Sequence, residues 1–455
     1  MKKKLISTII AATLVASTFL LGACGGNDGD TAADTGNETV TEDETDDAAP
    51  PADDVEEPDD FETGTVGTIN VGIWDSNQRP GLQQIADLFT EETGIPVEIS
   101  VVPWGEYWTM LEAAAAGGDL PDVMWMHSNE IQRYMDNGML MNLNDMIAAS
   151  DLLDMSAFPA GLVELYQDNG NQYGIPKDID TIALWYNIEM FDAAGVDTPT
   201  EDWTWEDFYE AAVALTDADN GIWGTSWAPG DNQVGYWNVI YSFGGYVIND
   251  AQDASGFDNP ETIRAMEFTE RLVRNAMPPV EIQAENEKSV LFGAGSIAMT
   301  TEGAWMIPAF KENEAFHENV GVAMLPVDAV TGRRASIENG LGWSVAANTD
   351  MAEEAMALVE WFGSEAMQRM QAELGVTMAA FEGVSDDWVN NTDLWDLTPY
   401  VELLDYAVQR PYSRNTTVWE FTINDMLMEV WAGTADLHET LDAIVVMMND
   451  ALANE

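Results

Sequence analysis

The stretch from Thr68 to Pro103, TINVGIWDSNQRPGLQQIADLFTEETGIPVEISVVP, confines the chain to a narrow set of folds. Ile69, Val71 and Ile73 alternate as in a strand with one apolar face. Leu82, Ile85, Leu88 and Phe89 then follow helical spacing, and Gly94 stands where a helix stops. Val97, Ile99 and Val101 alternate again. A second helix is expected near residues 106–116, ending at Gly117-Gly118, with a buried strand in PDVMWM after it. Strand, helix and strand in turn call for an α/β lobe on a largely parallel sheet covered by helices.

A second lobe is expected to begin near TIALWYNIEMFDAAGV. NPETIRAMEFTERLVRN reads as one of its helices, with Asn259 able to cap and Pro260 suited to the first turn. GLGWSVAANT reads as a strand, and Asp350 with Glu353 three residues on predicts the start of the helix that follows. From about residue 386 onward the pattern is helical. The body from residue 66 is long enough for two domains.

The N-terminal segment points elsewhere. Lys2, Lys3 and Lys4 precede an apolar run from Leu5 to Leu21, followed by Gly22-Ala23-Cys24. This is the pattern of a secretory signal. Leu21-Gly22-Ala23-Cys24 also resembles the bacterial lipobox, in which the cysteine becomes the acylated first residue. Residues 1–24 are thus expected to be a lipoprotein signal with Cys24 lipidated, carrying palmitate, at the extracellular face of the cell membrane. Cys24 is the single cysteine, so an intrachain disulfide and a cysteine metal cluster are excluded. Residues 25–65 are rich in acids and poor in apolar groups, and are expected to be a disordered tether. The whole chain carries 81 acids against 16 bases, a net charge of -65. Nucleic-acid binding, which needs a basic footprint, is excluded, and membrane attachment is left to the lipid. So large an imbalance fits a saline or alkaline habitat.

Catalytic signatures are missing. The sequence has no G-x-S-x-G, no G-x-x-x-x-G-K-[ST] and no H-E-x-x-H, and His127, His317 and His438 are scattered. No catalytic residue, no metal and no cofactor is expected. Asp217 and Asp219 in TDADNG lack EF-hand spacing and read as a polar turn, with calcium left open. The feature that stands out is seventeen tryptophans, many of them beside loop signals. Trp74, Trp104, Trp305 and Trp343 all lie next to turn-forming residues. An indole face on a loop stacks on the C–H face of a sugar ring, and polar neighbours bond its hydroxyls. In YGIPKDIDTIALWYN, Asp178 and Asp180 flank Ile179 ahead of an apolar strand, as in a hinge that delivers carboxylates to a cleft between lobes.

The stretches VPWGEYWTMLEAAAAGGDLPDVMWMH, NGMLMNLNDMI, YGIPKDIDTIALWYNIEMFDAAGV, DWTWEDFYEAAVALT, LFGAGSIAMTTEGAWM and NGLGWSVAANT resemble, in the same order, the family 1 extracellular solute-binding proteins of ABC importers. These are sugar-binding lipoproteins related to maltose-binding protein. The resemblance implies an α/β, two-lobed periplasmic-binding-protein-like fold of type II, each lobe a mostly parallel sheet flanked by helices. It implies hinge crossings near residues 177–181, 336–340 and 378–382. The N-terminal lobe would be 66–178 plus 340–380, and the C-terminal lobe 179–339 plus 381–455. It also implies ligand contacts at Asp75 and Arg79, at Trp104, Trp125 and His127, and at Asp178 and Asp180. Further contacts would come from Trp237, Trp305 and Trp343, then Arg414 and Trp419. The implied function is a monomeric, non-enzymatic receptor that takes a mono- or oligosaccharide to the permease subunits of an ABC importer. Two alternatives stay open: a lipid-anchored glycoside hydrolase using Asp178 and Asp180, or a receptor for a non-sugar polar metabolite.

Overall fold

Alternating β-branched and aliphatic residues make strands where both faces of a sheet are covered, and the chain builds two such sheets. The computed structural model describes residues 67–227 and 232–455. Cys24 and the acidic stretch 25–65 lie outside the described residues. The first sheet has the order Val97–Val101, Ile69–Ile73, Val123–Met126, Gly342–Val345, Ile175–Pro176. The helix Arg79–Thr93 covers it with Leu82, Ile85, Ala86 and Phe89, and stops at Gly94, whose φ of 77° suits a residue without a Cβ. The helix Ala352–Gly363 packs against the same sheet through Ala355, Leu358, Val359 and Phe362.

The second sheet runs Val320–Ala323, Ile182–Asn187, Ile297–Gly303, Trp223–Ser226. Asn259 caps the helix Pro260–Ala276 as the sequence predicts, its Oδ1 accepting from the amides of Glu261 and Thr262 at 2.9 and 3.3 Å.

Two expectations need correction. The sheets are mixed rather than mostly parallel. In the first, Ile69–Ile73 pairs parallel with both neighbours, but Gly342–Val345 runs antiparallel to Val123–Met126 and to Ile175–Pro176. In the second, only Trp223–Ser226 with Ile297–Gly303 is parallel. The cause is the path of the chain: Gly342–Val345 and Ile182–Asn187 follow a crossing, enter their sheets from the hinge and oppose the strands that run toward it. Asp350 does not cap the helix after GLGWSVAANT either. That helix starts at Ala352 after Met351, whose amide is held by the Thr349 hydroxyl at 2.9 Å.

Between the two sheets, three extended segments lie side by side. Asp178 pairs with Ala379, and Asp180 pairs with Asn339, each in antiparallel register. The Ile179 amide donates to Met378 at 3.0 Å, and the Asp180 amide to Asn339 at 2.7 Å. A fourth segment, Ala407–Gln409, runs parallel to Ser336–Glu338 and continues the row through the Arg410 amide, which donates to the Glu338 carbonyl at 2.8 Å. Gly340 is required here: a Cβ would stand 2.1 Å from the Asp178 carbonyl oxygen.

Candidate functional site

Aromatic rings crowd the hinge-facing loops of the first sheet. Trp74 follows the strand Ile69–Ile73, Trp104 opens the helix Trp104–Gly117, and Trp125 lies on Val123–Met126. Trp74 is the hub. Its ring centroid is 5.1 Å from Trp104, 5.0 Å from Tyr107, 5.7 Å from Trp108 and 4.9 Å from Trp125. Most of these contacts are edge to face, the arrangement that ring quadrupoles favour. Trp125 is fully buried, whereas Trp104 keeps 43% of its surface exposed and offers a free face.

His127 joins this wall at 5.3 Å from Trp104. Its Nδ1 lies 2.6 Å from Asn129 Oδ1, and its Nε2 lies 2.9 Å from Asn339 Nδ2. Only one tautomer satisfies both: Nδ1–H donates to Asn129, and Nε2 accepts from Asn339. Burial first, then the Arg410 charge, lower the His127 pKa to about 3, so the ring is neutral. The Asn339 side chain therefore faces the aromatic wall.

Register extends that direction to two neighbours. Asp180 lies directly opposite Asn339, and Glu338 is in register with Gln409, which sets Arg410 beside Asn339. Residues in register share a face, so Asp180, Asn339 and Arg410 form one row. All three are almost wholly buried, and each has an atom without a partner: Asp180 Oδ1, Asn339 Oδ1 and Arg410 Nη1. The row therefore leaves two acceptor atoms and one donor atom open side by side. Burial, then the adjacent Asp178 charge, push the Asp180 carboxyl well above the usual carboxylate range, against the pull of Lys177.

The opposite wall belongs to the second lobe. Arg410 lies over the Trp237 ring at 5.1 Å, and its Nε donates to Gln233 at 3.0 Å. Its Nη2 donates to Glu420 Oε1 at 2.5 Å, and Asn232 Nδ2 donates to the same oxygen at 2.8 Å. Glu420 Oε2 stays unpartnered. Sequence reasoning missed Arg410, Asn339 and Glu420. The one signal available was the short alternation Ala407-Val408-Gln409 ending at Arg410-Pro411.

The remaining candidates lie outside this row. Asp75 shapes its own loop, accepting from the Asn77 amide and from Gln78 Nε2, each at 2.9 Å, while Arg79 is exposed at the head of its helix. Asp178 is engaged on both oxygens, by Lys177 Nζ at 2.6 Å and the Leu341 amide at 2.7 Å, so it braces the crossing. Trp305 is half-buried at the hinge end of Ile297–Gly303 and folds back over Gly303, where a Cβ would stand 1.9 Å from its ring. Trp343 and Trp419 are packing residues. Trp343 is sealed in the first lobe, stacked on Phe362 at 4.4 Å and 9°, because its strand turns that face toward the helix Ala352–Gly363. Trp419 is buried with its Nε1 donating to Ser413 Oγ at 2.9 Å. Arg414 is spent on ion pairs with Asp136 and Asp168, which tie the second lobe to the first.

Glu130, also nearly buried, pairs with Arg133 Nε at 2.7 Å. Burial pushes its carboxyl up to about 7, with Glu112 and Glu420 adding to the rise against Arg133. A carboxyl raised in the folded state contributes stability that is full below its unfolded value and is lost as pH climbs through the folded one. Melting temperature is therefore expected to fall between about pH 5 and pH 8, and Glu130→Gln to flatten that fall. A pH scan of thermal denaturation on both proteins checks this, and parallel curves would refute it.

Residues 74–369 match the family described as bacterial extracellular solute-binding protein. A maltotriose-binding protein of Pyrococcus abyssi (strain GE5 / Orsay) is 25% identical over 355 residues, 76% of this chain and 73% of that one. An ABC substrate-binding protein from Listeria monocytogenes, solved with cycloalternan, superposes with a TM-score of 0.78 at 23% identity, covering 85% of this chain and 99% of that one. A solute-binding protein from Thermotoga lettingae TMO, solved with α-D-tagatose, gives 0.76 at 22% identity, covering 85% and 99%.

Proposed function

Because the chain belongs to the bacterial extracellular solute-binding proteins, we propose that it is the receptor of an ABC importer and binds a mono- or oligosaccharide between its lobes. The observation that carries this reading is the buried row Asp180, Asn339 and Arg410, each with one unpartnered atom, joined through Asn339 and His127 to the indole of Trp104. Apolar ring faces beside orphan donors and acceptors suit a molecule with one C–H face and a rim of hydroxyls. The relatives and neighbours with sugars in their names support the choice of cargo.

In this reading the saccharide enters an open form, and closure lays it on the tryptophans and satisfies the row. It shifts the balance to the closed form by its preference for that form. Recognition is noncovalent and the sugar leaves unaltered. A hydrolytic pair at Asp178 and Asp180 is disfavoured, because Asp178 is held on both oxygens by Lys177 and Leu341. We assign 66–178 plus 340–380 to one lobe and 179–339 plus 381–455 to the other. We further propose that Cys24 carries the lipid, that the acidic tether holds a monomeric body off the outer face of the membrane, and that both lobes dock on the permease subunits.

A thermal-shift screen of the body against mono-, di- and oligosaccharides tests the cargo. One sugar at a hundredfold excess over its Kd should stabilise the protein by about 2.7 kcal/mol. Trp104→Ala should weaken that sugar by about tenfold, the worth of one stacked ring, with little loss of stability, because Trp104 is 43% exposed. Calorimetry on wild type and variant checks it. Silence across the panel would overturn the reading.

A further inference from the structure

The cations in the seam between the lobes are each held by carboxylates. Lys177 Nζ holds Asp178 at 2.6 Å, Arg133 holds Glu130 at 2.7 Å, and Arg410 holds Glu420 at 2.5 Å. Asp180 is left over. It is 4% exposed, its Oδ1 has no partner, and the adjacent orphan, Asn339 Oδ1, is a second acceptor. Glu338, the next residue along, projects to the opposite face, because side chains alternate in an extended segment. One end of the row thus presents two acceptors and an uncompensated carboxyl. The other end presents the free Nη1 donor of Arg410. Neighbouring extended segments stand about 4.8 Å apart, so the three-residue row spans about 10 Å, roughly the reach of two sugar rings.

A neutral hydroxyl can donate to Asp180, but it brings no charge to balance a carboxylate there. A protonated amine does both, and it is also drawn to the indole faces opposite. We propose, resting on the saccharide reading above, that the cleft prefers an amino sugar, whose ammonium sits at Asp180 and Asn339 while an oxygen at the far end takes the Arg410 donor. Burial and the adjacent Asp178 charge raise the Asp180 carboxyl, and an ammonium beside it pulls the other way.

The test is isothermal titration of the whole body with matched pairs: D-glucosamine against D-glucose, D-galactosamine against D-galactose, and the β-1,4-linked glucosamine disaccharide against cellobiose. The N-acetyl forms serve as neutral controls of equal bulk. In the pair that binds, the amine should be tighter by about tenfold or more. In Asp180→Asn the ratio of the two affinities should collapse to about one, whatever happens to each alone. Neutral sugars that bind as well as their amines would overturn this inference and leave the saccharide reading standing. Silence from both series would overturn both.

Discussion

Lys177→Met is expected to lower the stability of the protein by about 3–5 kcal/mol, the cost of leaving one partner of a buried ion pair behind. Lys177 has no solvent exposure. Its ammonium lies 2.6 Å from Asp178 Oδ2 and 2.7 Å from Gln78 Oε1, over the Trp125 ring at 4.5 Å. Gln78 in turn donates to Asp75 at 2.9 Å, and Asp178 accepts from the Leu341 amide at 2.7 Å. The chain of contacts therefore runs from the first loop to two crossings, and methionine would keep the packing while stranding a carboxylate inside. The double variant Lys177→Met/Asp178→Asn should recover much of the loss, since it removes the stranded charge as well. Denaturant unfolding of the three variants reads this directly. A single variant within about 1 kcal/mol of wild type would show that the pair is not the brace described.

Arg410→Ala should weaken saccharide binding by about a hundredfold or more, the range of 2–5 kcal/mol that attends loss of a buried, hydrogen-bonded charge partner. The guanidinium is 3% exposed and does three things at once. It covers Trp237, it holds Gln233 and Glu420, and it keeps Nη1 free. Arg410→Lys separates these roles. The charge remains, so Glu420 is not stranded, but the planar fork that reaches two partners while presenting a third N–H is gone. Lysine should therefore restore most of the stability and little of the affinity. Calorimetry and thermal denaturation on both variants give the two readouts. Unchanged affinity in both would remove Arg410 from the cleft.

The strands and helices of the first lobe were legible because their periodicity is local: Ile69, Val71 and Ile73 alternate whatever they pair with. Strand direction was not legible. Nothing in TIALWYN says that it runs antiparallel to both Val320–Ala323 and Ile297–Gly303, because that follows from where the chain enters the sheet. The tryptophans divide for a similar reason. Trp104 and Trp343 both sit beside turn signals, yet one is half-exposed at a helix start, and the other faces Phe362 across a strand–helix layer. The polar row was hidden most completely. Asp180, Asn339 and Arg410 come together only through pairings between segments far apart in the chain, and no motif spans them. Asp180 was visible because it stands beside Asp178 in a stretch that already looked like a hinge, and Arg410 had no such neighbour.

The most direct measurement is a crystal structure of the body with the saccharide that the thermal-shift panel selects. An intact sugar should lie with a ring face on Trp104 and hydrogen bonds to Asp180, Asn339 and Arg410, all three orphan atoms satisfied. A sugar found cleaved, or bound elsewhere with that row still unpartnered, would contradict the account.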